Sequence, residues 1–286
     1  MPASLSPAAQ QAAASRKLDG NFSYKELYQT LSELERYDQT MEQTIQAAKT
    51  RFIWWVVGSV LGLFACILLL IVFAPLAILP LAILYFTIRA YRQWKALKTQ
   101  DLSNDFRLCV KPVLETLGAD LNPNEKIKTT LDLSGITDAK KKPPKELPPG
   151  RYQKLTETVI EDPWCSLRLP LLGGGVAEVE IRNDFRKLDR RYQSRRGKIK
   201  WKTKWVKDCS VTAMLIPAAP TEWGDQLRPP LDPATEKLKF VDKGGVRAPK
   251  LEHCYTYKGA GDPPAASPGP REVVGLLLRL QSLRVA

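Results

Sequence analysis

From residue 52 to residue 88 the chain runs 37 positions without one Asp, Glu, Lys, Arg, His, Asn or Gln. No other feature narrows the possible folds as far. A hydrocarbon core ~30 Å thick takes about 20 apolar residues as a helix. One straight helix of this length would reach roughly 55 Å at ~1.5 Å per residue. The stretch therefore reads as two spans folded back on each other. Pro75 and Pro80 supply the break, because proline lacks an N–H and suits the first turn of a new helix. The spans are placed at about residues 52–73 and 76–94, with a short turn near Pro75.

The flanks agree with a hairpin. Lys49 and Arg51 precede the stretch, and Arg89, Arg92, Lys95 and Lys98 follow it. Basic residues near span ends mark the cytoplasmic side, and only a hairpin puts both clusters on one side. Trp54, Trp55 and Trp94 then sit at one membrane interface, with Arg89 and Arg92 reaching to the same surface. The expectation is an integral, two-span protein of a bacterial plasma membrane with both termini cytoplasmic. Two alternatives stay open: a buried helical pair in a large soluble protein, and a shallow re-entrant hairpin.

Outside this stretch the chain is polar, with a mean hydropathy of −0.24 overall and a net charge of +13. That charge favours anionic surroundings. Five cysteines, none spaced C-x-x-C, suggest reduced thiols rather than a disulfide framework or zinc ribbon. The first residues have neither the basic start nor the apolar core of a secretory signal, so the hairpin is expected to direct insertion.

The expected fold class is an α+β membrane protein: an N-terminal helix, a transmembrane helical hairpin (52–94) and an antiparallel β-rich soluble domain. Residues 1–21 read as a disordered tail. Ser23 and Glu26 form the S-x-x-E pattern of a capping box. Behind it, residues 22–50 carry apolar positions at alternating three- and four-residue steps, either a coiled coil for self-association or an amphipathic helix packed on its own chain. A juxtamembrane helix is expected over 100–121, kinked or restarted at Pro112 and stopped at Gly118. Period-two patterns then predict strands at 127–133, 155–160, 166–169, 177–182, 185–192, 198–207 and 210–216. Edge strands at 238–241 and 251–257 complete a basic β domain over 125–258, a sheet, sandwich or small barrel. A flexible linker (259–270) and a C-terminal amphipathic helix (271–286) follow.

Residues 182–208 hold twelve Lys or Arg against three acidic residues, a net +9. Lys198, Lys200, Lys202 and Lys204 alternate with Ile199, Trp201, Thr203 and Trp205. A strand therefore puts the ammonium groups on one face and the tryptophans on the other. Arg195 and Arg196 lie in the turn of a hairpin whose other arm is 185–192. Three roles compete for this ribbon: a solvated, edge-protected hairpin, an anionic-lipid surface, or a nucleic-acid surface using phosphate contacts and stacking. Signals for catalysis are weak. His253 is the only histidine, and a metal set of His253, Cys254, Cys165 and Cys209 has no favourable spacing. Gly173–Gly175 reads as a turn, and Glu178 and Glu180 as a salt-bridge ladder.

The order helix, two-span hairpin, basic β domain, with the segment 194–205, resembles a set of uncharacterised bacterial two-span membrane proteins. The resemblance implies the layout and no activity. The functional expectation is thus a non-enzymatic interaction or scaffold protein at an anionic membrane surface. Its partners are the lipid bilayer, a second copy through residues 22–50, or, as the runner-up, nucleic acid bound by a membrane-tethered domain. No cofactor is expected.

Overall fold

The computed structural model describes residues 5–70, 79–137, 140–148, 150, 152–219, 232, 235–260 and 268–282. These divide into two compact units. One comprises residues 33–102, the other residues 5–32 together with residues 103–286.

The larger unit is organised by one antiparallel sheet. Its strands are β1 (Lys17–Phe22), β2 (Ile127–Asp132), β3 (Lys140–Lys141), β4 (Lys145–Leu147), β5 (Lys154–Pro170), β6 (Val176–Gln193), β7 (Ile199–Ile216), β8 (Glu236–Lys243) and β9 (Val246–Ala260). The order is β1-β2-β5-β6-β7-β9-β8, and the short β3 and β4 extend the β2 edge along β5. Strand alternation gives the sheet two unlike faces. Leu167, Val179, Ile181, Cys209, Val211, Ala213 and Leu251 point to one face and are buried. Helices cover that face: α4 (Lys111–Leu117) packs on α5 (Pro270–Gln281), which packs on β7 and β9. Val113, Leu114, Val273, Leu276 and Leu280 supply the facing apolar surface. The other face carries ion pairs and needs no second layer. That is why the domain is a helix-on-sheet structure and not the sandwich or barrel the strand pattern allowed.

The strands are longer than expected. The breaks anticipated at 183–184 and 208–209 do not occur: Asn183 and Cys209 oppose each other in the buried face, both 0% exposed, and Asp184 opposes Asp208 on the other face, where Asp208 pairs with Arg186. The expected break between 160 and 166 is a bulge in β5 between Pro163 and Cys165. It lets one strand keep pairing with β6 across a proline that cannot donate to the ladder.

The tail expected over residues 1–21 instead contains the helix α1 (Pro7–Ser15) and strand β1, which pairs with β2 along its whole length; residues 1–4 lie outside the described residues. The capping box forms as expected: Ser23 N donates to Glu26 Oε2 at 2.9 Å, and Glu26 N donates to Ser23 Oγ at 3.3 Å. It starts the helix α2 (Tyr24–Leu70). Leu27, Leu31 and Leu34 of its apolar seam are fully buried within a single chain. The expected juxtamembrane helix is a π-helical turn (Phe106–Val110) running into α4, with Pro112 in the first turn of α4. α4 ends at Leu117 with Gly118 at its C-cap, as expected, and Gly118 then begins a 3-10 turn. A Cβ there would lie 2.6 Å from the Tyr24 hydroxyl, so the glycine is required by close approach.

The smaller unit pairs the rest of α2 with α3 (Leu79–Lys98) in antiparallel fashion. Phe52 stacks on Trp94 (ring centroids 5.6 Å apart), Trp55 stacks on Phe86 (5.4 Å), and Ser59 Oγ lies 2.6 Å from Thr87 Oγ1. The helical hairpin therefore stands. The transmembrane reading does not: among the described residues no helix is long and apolar enough to cross a membrane. Arg89 cuts the apolar run of α3 to ten residues, about 15 Å of helix. That falls short of the ~20 residues a span requires. The membrane fold class, the integral-membrane function and the two-span plasma-membrane placement are corrected accordingly. Trp55 and Trp94 serve as packing residues of the helix pair, while Trp54 stays 70% exposed. The turn expected near Pro75 lies outside the described residues, as does most of the linker over 259–270.

Candidate anion-binding site

The distal end of the β6–β7 hairpin is built by a tight turn. Ser194 N donates to Lys198 O at 2.8 Å and Gly197 N donates to Ser194 O at 2.9 Å. Gly197 has φ 77°, a left-handed conformation that costs glycine nothing. The turn sets the register of everything behind it: Tyr192 opposes Lys200, Arg190 opposes Lys202, and Leu188 opposes Lys204. The three lysines share one face, and Trp201 and Trp205 the other. Arg195, Arg196 and Lys198 are exposed in the turn itself.

β9 joins β7 only from Lys204, which pairs with Ala260. Among the described residues the stretch from Ile199 to Thr203 pairs with β6 alone. The two tryptophans part company here. Trp205 is 8% exposed and packs with Ile160 and Phe185. Trp201 is 64% exposed, with the Arg191 guanidinium 5.8 Å from its ring centroid.

Nearer the middle of the sheet, cations and carboxylates are matched. Arg186 pairs with Asp208 at 2.7 Å, Arg182 with Asp184 at 2.9 Å and Glu161 at 3.3 Å, and Glu178 with Lys243 at 3.0 Å and Arg168 at 3.6 Å. The ladder expected of Glu178 thus exists. Lys187 pairs with Asp189 at 2.8 Å. Beyond that point the matching ends. Among the described residues no ion pair involves Arg190, Arg191, Arg195, Arg196, Lys198, Lys200, Lys202 or Lys204. Arg190 and Lys202 stand directly opposite each other, an arrangement that is itself mildly unfavourable.

Around that like-charged pair lies a cleft of about 300 Å³ lined by Tyr152, Arg190, Tyr192, Gln193 and Lys202. Arg190 Nη1 donates to Tyr152 Oη at 3.2 Å, with the guanidinium 5.2 Å from the ring centroid. Arg190 Nε is buried without an acceptor. Only Lys202 of this set was singled out in the sequence. Tyr152 comes from the segment before β5 and reaches the site through the β5–β6 pairing of Leu155 with Arg190. No local signal reveals that meeting.

Other candidate groups fare differently. His253 lies beside an acid, with Nδ1 2.9 Å from Glu236 Oε1. That carboxylate also accepts from Arg279 Nη1 at 2.5 Å and from Asp232 N at 3.1 Å. Burial works against its charge, but these hydrogen bonds outweigh burial and hold Glu236 below the usual carboxylate value. The trio fastens α5 to the β8 edge. Cys254 follows His253 on the strand and therefore points to the opposite face, away from the buried Cys165 and Cys209. Among the described residues no group of three acidic, His or Cys side chains is arranged to hold a metal. Burial pushes the Cys109 and Cys209 thiols up to about 12, and raises Cys165 well above the ordinary value. These thiols stay protonated and unreactive at neutral pH.

A buried polar cluster sits under the π-helical turn. Asn183 Nδ2 donates to Asp105 Oδ2 at 3.4 Å, and Asp162 and Lys207 are 5% and 2% exposed. Desolvation, then the charges of Asp132 and Asp105, raise the Asp162 carboxyl to about 7 against the opposing pull of Lys207 and Asn183. So complete a burial leaves a substrate no approach.

No protein-family model, curated protein or solved structure matches the chain.

Proposed function

We propose that this protein is a non-enzymatic binding protein for a phosphate-bearing polymer, and that single-stranded nucleic acid is the polymer its distal hairpin suits. One observation carries the reading. At the distal end of the β6–β7 hairpin, cations with no ion pair among the described residues stand beside aromatic rings: Arg190 over the half-buried Tyr152, Arg191 over a Trp201 that is 64% exposed, and Lys202 directly opposite Arg190. Phosphate neutralisation by Lys and Arg supplies affinity, and exposed rings supply sequence-tolerant stacking for bases. The alternation that separates lysines from tryptophans is no obstacle at the hairpin tip. A strand wrapping that tip meets Lys202 on one face and Trp201 on the other. Protonated, buried thiols and a sealed Asp162 support the non-enzymatic part of the reading.

Fluorescence anisotropy of the full chain with a labelled single-stranded oligonucleotide tests it. The affinity should fall steeply with salt, and Trp201→Ala should weaken binding by about tenfold, the scale of one lost stacking contact. Binding indifferent to salt and to Trp201→Ala would remove the reading. Retention on anionic vesicles in preference to the oligonucleotide would replace it with lipid as partner.

A further inference from the structure

The matched and unmatched halves of the hairpin differ at one pair of residues that the binding reading alone does not explain. Arg190 and Lys202 are direct cross-strand neighbours on β6 and β7, with no carboxylate partner among the described residues. Like charges directly opposite one another are destabilising. Arg190 also has its Nε buried without an acceptor, a cost that a bound acceptor would lift. The two cations flank a cleft of about 300 Å³ whose remaining lining is two phenols and an amide, Tyr152, Tyr192 and Gln193. Every one of these side chains can donate a hydrogen bond, and no carboxylate lines the cleft.

We propose that this cleft is a seat for a single phosphate group, the anchoring subsite of the polyanion surface; the inference rests on the proposed function and narrows it to one place. A guanidinium on one side and an ammonium on the other match a tetrahedral dianion. Arg190 offers a planar fork and Lys202 a mobile point charge. The Tyr152 hydroxyl accepts from Arg190 Nη1 at 3.2 Å and so orients the guanidinium at the cleft wall. The cleft volume lies at the lower end of the range for small-molecule sites, about 300–1,000 Å³. It has room for a phosphate and the sugar that carries it. The shared chemistry is phosphate monoester or diester, whether it arrives on a nucleotide or on a lipid headgroup.

Calorimetric titration of the full chain, at fixed ionic strength, tests the seat with three probes: inorganic phosphate, a 5′-mononucleotide and glycerol 3-phosphate. All three should bind. Arg190→Gln and Lys202→Gln should each weaken them by about tenfold, the scale of one charge-assisted hydrogen bond. Should Arg190→Gln fail to fold, Lys202→Gln alone decides, because that lysine is exposed. Lys200→Gln and Lys204→Gln should leave the mononucleotide affinity within about twofold while lowering oligonucleotide affinity, since they reach only the extended backbone. Equal affinity for glycerol 3-phosphate and the mononucleotide supports a seat that reads phosphate alone. Tighter mononucleotide binding supports a seat that also uses a tyrosine ring. No binding of any probe, or binding unmoved by Lys202→Gln, overturns the seat. Loss of oligonucleotide binding with phosphate binding intact overturns the proposed function and spares the seat. Oligonucleotide binding without phosphate binding does the reverse.

Discussion

The β6–β7 hairpin is two structures on one pair of strands. From Val176 to Asp189, and across from it on β7, helices cover one face and the other carries matched charges. From Arg190 round the turn to Lys202 it has cations with no carboxylate partner among the described residues. The same residue types therefore do different work in each half. Trp205 is core and Trp201 is surface, four residues apart. Arg186 is half of an ion pair, and Arg190 faces a lysine. The difference teaches that a charge count along a strand carries little meaning until its cross-strand partners are known.

The largest effect that would break the comparison is on stability. Trp205→Ala should cost ~3–5 kcal/mol in urea unfolding, the usual cost of emptying a buried aromatic site. Trp201→Ala should stay within about 0.5 kcal/mol. Similar losses at both positions would mean that the two halves are not distinct.

Next comes the pH dependence of the buried half. Asp162 holds its proton in the fold up to about 7, whereas an unfolded chain gives it up near ~4. Between those values the unfolded state binds fewer protons, so stability should fall as pH rises, by at most roughly 4 kcal/mol in all. Asp162→Asn should flatten that slope in denaturation curves taken at pH 4 to 7. An unchanged slope would show that Asp162 is not its source. The distal half contains no comparable buried acid.

The smallest effects sharpen the contrast most directly. Arg186→Gln breaks the pair with Asp208 and should cost a few tenths of a kcal/mol, up to ~1 kcal/mol, as exposed pairs do. Lys202→Gln removes a like-charge opposition and should be neutral or stabilising by ~0.2–1 kcal/mol. A destabilising Lys202→Gln would mean that the distal cations hold the fold rather than a ligand.

Much of the scaffold was legible in the chain. The capping box at Ser23, the turn after Ser194, the hairpin behind it and the helical character of both arms flanking residue 75 all follow from neighbours in sequence. The long strands were not, because Asn183-Asp184 and Asp208-Cys209 look like breaks. A polar side chain in the buried face of a strand, such as Asn183, is rare enough that pattern reading cuts the strand there. The apolar stretch misled for a different reason. Freedom from charge sets an upper bound on a span, but the described helices use their aromatic residues against each other, and among the described residues none is long and apolar enough to cross a membrane.

Local pattern alone decided where the chain turns, where α2 begins, and that residues 182–208 concentrate the positive charge. Those properties depend on backbone dihedrals and on residues a few positions apart. Only the folded sheet decided that Tyr152 meets Arg190, that Lys202 faces a cation and not a carboxylate, and that one tryptophan is buried while its near neighbour is open. Such facts belong to cross-strand register. These are set by long-range pairing, in which residues dozens of positions apart become neighbours at roughly 5 Å.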